Sequence, residues 1–382
     1  MNRNLFLLSI SLMTWGIGEG MWLLFQPLYL DQLGAGPVLI GAIQGLSGLS
    51  MAIAHLPAGY LSDRFGRRTL LISAWFLGTL AAWIMALANS IPVFVIGSAL
   101  YGVTSFVVVP LNGYVTVARG NWSVGRAITL ISATFNLGVI PGPILGGWIG
   151  EQFGLRTNFL IGAVLFIISS ALITLIERQP VEMPTSGSKR TGLRWALNTR
   201  YIHYLIIVFM VMFCTYLPQP LSQNFLQDQR GVALQQMGFL IAARGVGAVL
   251  LNLVLGQLNA RFGFLLAQAA MAAFTLLIWR GNGVPSYLLG YLLMGSYQTA
   301  RLLSIAQGRV LLKHENMNMG YGIIETCMAL VLFLAPPLAG YLYSVNPVWI
   351  YSVSFGMILV ALASSLFFSP LHARDIVEYG VN

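Results

Sequence analysis

The sequence reads Gly59-Tyr60-Leu61-Ser62-Asp63-Arg64-Phe65-Gly66-Arg67-Arg68 between two long apolar runs. Only 8% of all residues are Asp, Glu, Lys or Arg, so four charged residues in ten positions are a marked interruption. A weaker copy follows 197 positions later, as Gly256-Gln257-Leu258-Asn259-Ala260-Arg261-Phe262-Gly263. The copy keeps the Arg-Phe-Gly step but has Ala260 in the place of Asp63. Repetition over this distance predicts an internal duplication, with the same turn after the second span of each half.

Composition sets the class of protein. Apolar residues make up 57% of the 382 residues, and the charged fraction is far below the quarter that is typical of soluble domains. A membrane-spanning helix needs about 20 mostly apolar residues. Twelve such runs are present, at residues 5–30, 37–60, 69–89, 92–116, 126–149, 156–176, 201–226, 235–257, 264–280, 285–312, 320–343 and 347–368. We predict an all-α integral membrane protein with 12 transmembrane helices in two pseudo-symmetric six-helix bundles.

The basic residues predict the orientation and the domain boundaries. With a cytoplasmic N-terminus, 15 Lys and Arg residues lie on the cytoplasmic side, against Arg156, Arg230 and Arg280 on the other. This asymmetry places both termini in the cytoplasm. The longest connection is basic and contains Pro180 and Pro184. We therefore predict a first bundle at residues 1–177, a cytoplasmic linker at 178–200 and a second bundle at 201–382.

Several functional classes lack support in the sequence. The basic excess is explained by topology, so nucleic-acid binding is not expected. Cys214 and Cys327 lie in apolar runs and suggest neither a disulfide framework nor a metal site. Phosphate-binding GxxxxGK[ST] and nucleophile GxSxG motifs are absent from the sequence. We expect no enzyme activity, no metal and no cofactor.

Twelve spans, two related halves, a basic central loop and the charged turn together resemble the major facilitator superfamily of secondary transporters. The turn is similar to that superfamily's motif A, with matches at Gly59, Asp63, Arg64, Gly66, Arg67 and Arg68. The resemblance implies a latch that closes the two halves on the cytoplasmic side. Since Ala260 lacks a charge, the latch should be one-sided. We expect Asp63→Asn to fold normally but to shift the balance between inward-open and outward-open states. The alternative is a charge cluster that only fixes topology.

The fifth span carries a second signature. Its residues Gly138, Gly142, Pro143, Gly146 and Gly147 resemble motif C, which in the superfamily marks proton-coupled exporters. Small residues three and four positions apart let two helices come close, and Pro143 removes a backbone donor and should bend the helix. We include these residues with motif A in the predicted conformational switch. An ordinary packing face remains the alternative.

Ionisable residues lie well inside the predicted spans at four positions, namely Glu19, Arg244, Arg301 and Glu325. Each costs at least about 2.5 to 3.5 kcal/mol at the bilayer centre, so each should face a cavity or a partner. Glu325, near the cytoplasmic end of its span, suits a structural partner. For Arg244 a functional and a structural role are equally supported, and His55 is expected at the membrane interface. We assign proton coupling to Glu19, Arg301 and Glu325.

Glu19 shares one predicted helical face with Trp15, Trp22 and Gln26, at spacings of 4, 3 and 4. Tryptophans around a carboxyl group exclude water and favour its neutral form, which suits a proton carrier. The alternative to a proton carrier is a structural role, in which Glu19 is a buried glutamate that is hydrogen-bonded to a neighbouring helix.

By the same resemblance, the first, fourth, seventh and tenth spans line the transport cavity. Polar and aromatic residues lie along three of these spans. They are Tyr101, Ser105 and Asn112 in the fourth span, Tyr216, Gln219 and Gln223 in the seventh, and Tyr297, Gln298, Arg301 and Ser304 in the tenth. Amides and charges beside aromatic rings favour a wet, amphipathic cavity. The predicted substrate-binding residues are Trp15, Glu19, Trp22, Gln26, Tyr101, Asn112, Tyr216, Gln219, Tyr297, Gln298 and Arg301.

These features predict proton-coupled efflux of small amphipathic or hydrophobic organic compounds, by alternating access of two bundles. The expected partners are a small-molecule or lipid-like substrate, protons and the lipid bilayer, with the protein a monomer in the cytoplasmic (inner) membrane. Three alternatives remain open: a lipid or lysolipid translocator of the same fold, an importer of sugars or organic acids, and a membrane sensor that transports nothing.

Overall fold

The computed structural model describes residues 3–179, 198–308, 311–312 and 317–368. Within these ranges it describes residues 56–60, 63, 124–125, 317–319, 321 and 368 by their backbone alone. The predicted linker therefore lies almost entirely outside the described residues. In the first half the helices are α1 Arg3–Trp22, α2 Gln26–Gln32, α3 Pro37–Phe65, α4 Arg67–Leu87, α5 Ile91–Val103, α6 Val108–Ala118, α7 Val124–Val139, α8 Pro141–Phe153 and α9 Leu155–Thr174. In the second half they are α10 Thr199–Tyr216, α11 Ser222–Arg230, α12 Leu234–Leu255, α13 Ala260–Arg280, α14 Val284–Met294, α15 Ser296–Gly308, α16 Met317–Val345 and α17 Trp349–Phe368. None of the described residues forms a strand, which confirms the all-α class.

Eleven stretches of helix within the described ranges are long and apolar enough to cross a membrane. The remaining predicted span, at residues 285–312, is present as α14 and α15, which are each too short because Gly295 interrupts them. The ninth span, the shortest predicted from the sequence, is a full 21-residue helix, since α13 begins at Ala260.

Several spans are broken rather than continuous. A 3-10 turn at Leu23–Phe25 separates α1 from α2, and another at Thr104–Val107 separates α5 from α6. In the second half, the corresponding first and fourth spans are broken between α10 and α11 and at Gly295. Interruptions at corresponding positions of two halves are what an internal duplication predicts, and in transporters they point to the binding region.

The chain forms two compact units. The first comprises the described residues of Met1–Ser186 and Gln227–Ala242, and the second those of Gly187–Leu226 and Ala243–Asn382. The division falls within α12, so the residues from Leu234 to Ala242 belong to the first unit. The predicted bundle boundaries at 177 and 201 thus stay a prediction.

Buried hydroxyl groups join the helices of the first unit. Ser11 of α1 and Ser169 of α9 have their Oγ atoms 2.9 Å apart, and the Trp75 indole of α4 donates a 2.8 Å bond to Ser169. Interhelical hydrogen bonds of this kind, with small residues at close approaches, hold helices together where lipid provides no hydrophobic drive. In the second unit, Gln268 of α13 donates to Ser365 of α17 at 3.1 Å.

The turn between α3 and α4 depends on one glycine. Gly66 has φ of +83°, a conformation that side chains with a Cβ rarely adopt. Its predicted counterpart Gly263 instead lies inside α13, which begins at Ala260 with the Asn259 side chain capping the Arg261 N–H. The two copies of the motif therefore differ in backbone conformation, because in the second copy the Asn259 cap starts the helix earlier.

Candidate functional site

The Glu19 carboxyl lies among aromatic side chains in the first unit. It is half-buried in α1, beside the Tyr101 hydroxyl of α5 and the Trp15 indole. The Trp15 Nε1 donates a 3.3 Å bond to the Tyr101 hydroxyl. These three neighbouring polar groups are called the Glu19 cluster below.

Aromatic rings enclose the Glu19 cluster. Trp15 stacks on Phe166 of α9 with ring centroids 3.7 Å apart and an interplanar angle of 10°. Trp22 meets Tyr101 edge-on, with centroids 4.9 Å apart. Phe166 was not among the predicted residues, because a phenylalanine in an apolar span carries no sequence signal that distinguishes it from lipid-facing residues.

Trp22 contributes an unusual polar atom. Its Nε1 is buried and has no hydrogen-bond partner among the described residues, although its ring packs against Tyr101. A buried donor without a partner is costly, by about 1–3 kcal/mol. The indole is thus a donor that an acceptor atom of a ligand or a water molecule would satisfy.

Gln26 lies apart from the Glu19 cluster. Its amide donates a 2.8 Å bond to Ser98 of α5, and Ser98 is 2.8 Å from Ser47 of α3. The turn between α1 and α2 breaks the helical period, so Gln26 no longer follows the face that carries Trp15 and Glu19. Gln26, Ser47 and Ser98 instead join three helices. Sequence reasoning missed the two serines, since a lone serine in an apolar span has no distinctive pattern.

Asn112 is also separate from Glu19. It is exposed on α6 and lines an open cavity of about 560 Å³ with Arg67, Thr116 and Arg119. Ser105, in the turn before α6, donates to the Met51 carbonyl at 3.3 Å. The turn at Thr104–Val107 changes the helical phase here as well, so Tyr101 and Asn112 belong to different surroundings.

In the second unit, Arg301 and Glu325 form an ion pair. The Arg301 Nη2 lies 2.6 Å from Glu325 Oε2, and 42% of each side chain is exposed. The pair joins α15 to α16. Next to it, the Tyr297 ring lies 5.4 Å from the Tyr216 ring of α10.

The predicted amides of the second unit are used differently. Gln219 is buried, its nitrogen donates to the Thr215 carbonyl at 2.9 Å, and its Oε1 has no partner among the described residues. Gln223 is buried and accepts from Ser222. Gln298 is exposed on α15, and Ser304 donates to the Arg301 carbonyl.

The arginines of the charged turn in the first half contact neighbouring helices and rings. Arg68 donates to the carbonyls of Ile176 and Thr174, at 2.6 and 2.8 Å, at the C-terminal end of α9. Arg67 packs against Gly113 of α6, and Arg64 lies over the Phe65 ring at 5.4 Å. The side chain of Asp63 lies outside the described residues, so its predicted latch stays a prediction.

The glycines of the fifth span fix the position of α1. A Cβ on Gly142 would lie 2.7 Å from the Gly20 Cα, and one on Gly138 or Gly146 would lie even closer to the backbone of α1. Gly147 faces the other way, towards Leu234 and Gly238 at the start of α12. The helix that carries Glu19 is therefore in direct backbone contact with α7 and α8.

The break in the fifth span lies before Pro141, the first residue of α8, rather than at Pro143. Both prolines occupy the first turn of α8, where the backbone N–H groups have no partner within the helix. Pro143 therefore costs no hydrogen bond within α8. Ile140, which separates α7 from α8, keeps right-handed helical backbone angles, and the predicted bend at Pro143 stays a prediction.

A family model described as the Major Facilitator Superfamily matches residues 5–217. The chain belongs to the major facilitator superfamily. It is 24% identical over 251 residues to the multi-drug resistance efflux pump PmrA of Streptococcus pneumoniae, over 63% of this chain and 62% of the pump. It is 22% identical over 351 residues to the class B tetracycline resistance protein of Escherichia coli, over 86% of each chain. The crystal structure of the nucleoside transporter NupG superposes with a TM-score of 0.83 at 13% identity, over 97% of this chain and all of that chain.

These similarities confirm the predicted superfamily and its two-domain helical fold, and they support the resemblance to drug exporters. As a member of the major facilitator superfamily, the protein is a multi-pass membrane transporter of small molecules and not an enzyme.

Proposed function

We propose that this transporter exports small amphipathic or hydrophobic organic compounds in exchange for protons. The observation that carries the proposal is the Glu19 cluster, a carboxyl group in the middle of a membrane span among tryptophan and tyrosine side chains. An acidic residue within a span is energetically costly, and such residues mark substrate pathways and proton relays in membrane proteins. The names of PmrA and the tetracycline resistance protein support export of organic compounds by relatives.

In the proposed cycle, Glu19 takes up a proton from the outside as substrate leaves, and loses it to the inside as substrate binds. The neutral carboxylic acid can donate to Tyr101, while the carboxylate can accept from both Tyr101 and Trp15. Protonation therefore changes the hydrogen bonds of the Glu19 cluster, and α1 transmits the change through its backbone contacts with α7 and α8. The Arg301–Glu325 pair is the second ionisable element that we assign to coupling.

The proposal includes a place in the cell. We place the protein in the cytoplasmic membrane as a monomer surrounded by lipid, with both termini in the cytoplasm. The excess of Lys and Arg in the predicted cytoplasmic connections supports this orientation.

The decisive assay uses purified protein in liposomes that enclose a pH-sensitive dye, with ethidium or tetracycline as the probe. Exchange predicts that adding the probe on one side moves protons in the opposite direction. A protonophore should abolish uphill movement of the probe. Probe movement that persists unchanged with the protonophore would remove proton coupling, and labelled lipid that changes leaflets instead would favour the lipid translocator. Uptake of the probe into intact cells would contradict export.

A further inference from the structure

Arg244 lies in the middle of a membrane helix and has no role in the proposed proton cycle. It is close to the centre of the 22 residues of α12, so about 15 Å of helix separates it from either end. A guanidinium group at this depth is costly unless other groups compensate its charge.

The neighbours of Arg244 are tyrosines. Tyr291 and Tyr297 lie four residues before and two residues after Gly295, which is in contact with the Arg244 backbone. Together with Tyr216 they contribute to the electrostatic environment of the guanidinium group. Tyr291 is fixed by Ser222, whose Oγ is 3.1 Å from the tyrosine hydroxyl. The rings of Tyr216 and Tyr297 lie 5.4 Å apart and form an aromatic wall beside the charge.

The backbone holds Arg244 next to a helix start. A Cβ on Gly295 would lie 2.8 Å from the Arg244 carbonyl oxygen, so α12 is in backbone contact with the break between α14 and α15. The 13-residue helix α15 begins at the next residue, Ser296. Gly295 keeps right-handed helical backbone angles, so α15 continues the course of α14 beyond this contact.

The charges of this cluster do not balance. Arg301 is neutralised by Glu325 at 2.6 Å. Among the described residues, no carboxylate forms an ion pair with Arg244. The cluster therefore carries one positive charge in excess. Arg244 is half-buried, and there a positive charge attracts an anion more strongly than it does in bulk water.

We propose that Arg244 binds an oxyanion of the transported compound, a carboxylate or phosphate group, while the rings of Tyr216 and Tyr297 contact its apolar body. Anionic amphiphiles are then among the substrates. The transport of this ligand depends on the proposed function, whereas its binding does not depend on proton coupling.

The first test measures binding to the wild-type protein in nanodiscs, without a proton gradient. The probes are 1-naphthylacetate, its methyl ester, 1-naphthyl phosphate and dodecyl phosphate. The hydrogen bond between the guanidinium group and a carboxylate should contribute at least about 1.4 kcal/mol to binding. 1-Naphthylacetate should therefore bind at least about tenfold more tightly than its methyl ester. Equal binding of acid and ester overturns the inference. Preference for dodecyl phosphate identifies a lipid-like substrate, and preference for the naphthyl compounds identifies a small aromatic anion.

Variants then locate the anion. Arg244→Gln should remove the preference for the acid over the ester, Arg244→Lys should keep part of it, and the control Arg280→Gln at the end of α13 should keep all of it. If Arg244→Gln does not fold, Arg244→Lys takes its place as the test. The site predicts that Arg244→Lys keeps part of the preference for the acid, and complete loss of that preference contradicts the site. A preference that survives in Arg244→Gln but is lost in Arg301→Gln moves the oxyanion to Arg301 and contradicts the inference.

The two proposals fail separately. Anion-selective binding without any proton movement would overturn the coupling and keep the Arg244 site. Proton-coupled movement of ethidium, with acid and ester bound equally, would keep the coupling and overturn the site.

Discussion

Arg301 donates a 2.6 Å hydrogen bond to the Glu325 carboxylate, and this bond joins α15 to α16. Because 42% of each side chain is exposed, the pair is not sealed in the interior. Its contribution to stability should therefore lie nearer to that of a surface ion pair than to that of a buried one.

A double-mutant cycle on this pair gives the first prediction. Arg301→Gln and Glu325→Gln should each lower the melting temperature, since each leaves one charge without its partner. The double variant should lose less free energy of unfolding than the two single variants lose together. The difference, which is the coupling energy of the pair, should lie near the lower end of the range of about 0.5 to 3 kcal/mol for residues in contact. Thermal unfolding of the four proteins in one detergent measures it. Additive effects would show that the two side chains do not stabilise each other.

Glu19→Gln is the second prediction. Glutamine keeps the shape of the side chain and remains neutral, like the protonated carboxyl group from which substrate leaves in the proposed cycle. The protein should therefore fold but bind ethidium at least about fivefold more weakly than wild type, the lower end of a typical coupling between two ligands. Probe-driven proton movement in proteoliposomes should be lost, because the side chain can no longer carry a proton.

The matched control for Glu19 is Glu151→Gln. Glu151 is exposed at the end of α8, where its carboxylate accepts from the Gln235 N–H at 3.2 Å. The Glu151→Gln variant should keep the full probe-driven proton movement of the wild type. Normal coupling in Glu19→Gln would remove Glu19 from the mechanism, whatever the control shows.

Helical spacing in the sequence was informative only where the helix is continuous. Trp15, Glu19 and Trp22 lie on α1, which runs unbroken from Arg3 to Trp22, and the structure brings them together. Gln26 lies beyond the turn at Leu23–Phe25 and faces Ser98 instead. A 3-10 turn advances each residue by a different angle, so the face of a helix cannot be extrapolated through it.

Partners on other helices were harder to predict. The sequence marked Arg301 and Glu325 as charges in the membrane, but their pairing depends on how α15 and α16 pack. Phe166 and Ser98 gave no signal at all, since their residue types are common in apolar spans. By contrast, the number and order of spans follow from hydrophobic length alone, because the bilayer requires about 20 apolar residues for each crossing.

The glycine contacts between α1 and α8 give the third prediction. A Cβ at Gly142 would lie 2.7 Å from both the Gly20 Cα and the Ile17 carbonyl oxygen, so Gly142→Ala must push the two helices apart. Overpacking of this kind costs about 1–3 kcal/mol. The melting temperature should fall, and transport should fall with it because α1 carries Glu19.

Gly356→Ala is the control for this substitution. Gly356 lies within α17, and apart from the nearby backbone of its own helix no described atom lies within 4 Å of a Cβ added there. Alanine should leave stability unchanged or raise it by up to about 1 kcal/mol through its helix propensity. A Gly142→Ala variant as stable as the Gly356→Ala variant would show that the close approach of α1 and α8 is not required.

Arg68 gives the last prediction. Its guanidinium group holds the Thr174 and Ile176 carbonyls at the end of α9, where backbone acceptors have no partner within the helix and a positive charge is favourable. Arg68→Gln loses the charge and at least one of the two bonds, which should cost about 1.5–3 kcal/mol. Lysine keeps the charge but lacks the planar fork that reaches both oxygens, so Arg68→Lys should be intermediate. Arg200→Gln is the control and should melt close to wild type, since Arg200 is exposed in the first turn of α10. Thermal unfolding should rank the proteins as wild type, Arg68→Lys and Arg68→Gln in falling order. Were Arg68→Gln to melt with Arg200→Gln, Arg68 would serve topology alone, because its bonds to α9 would then contribute nothing to the folded state.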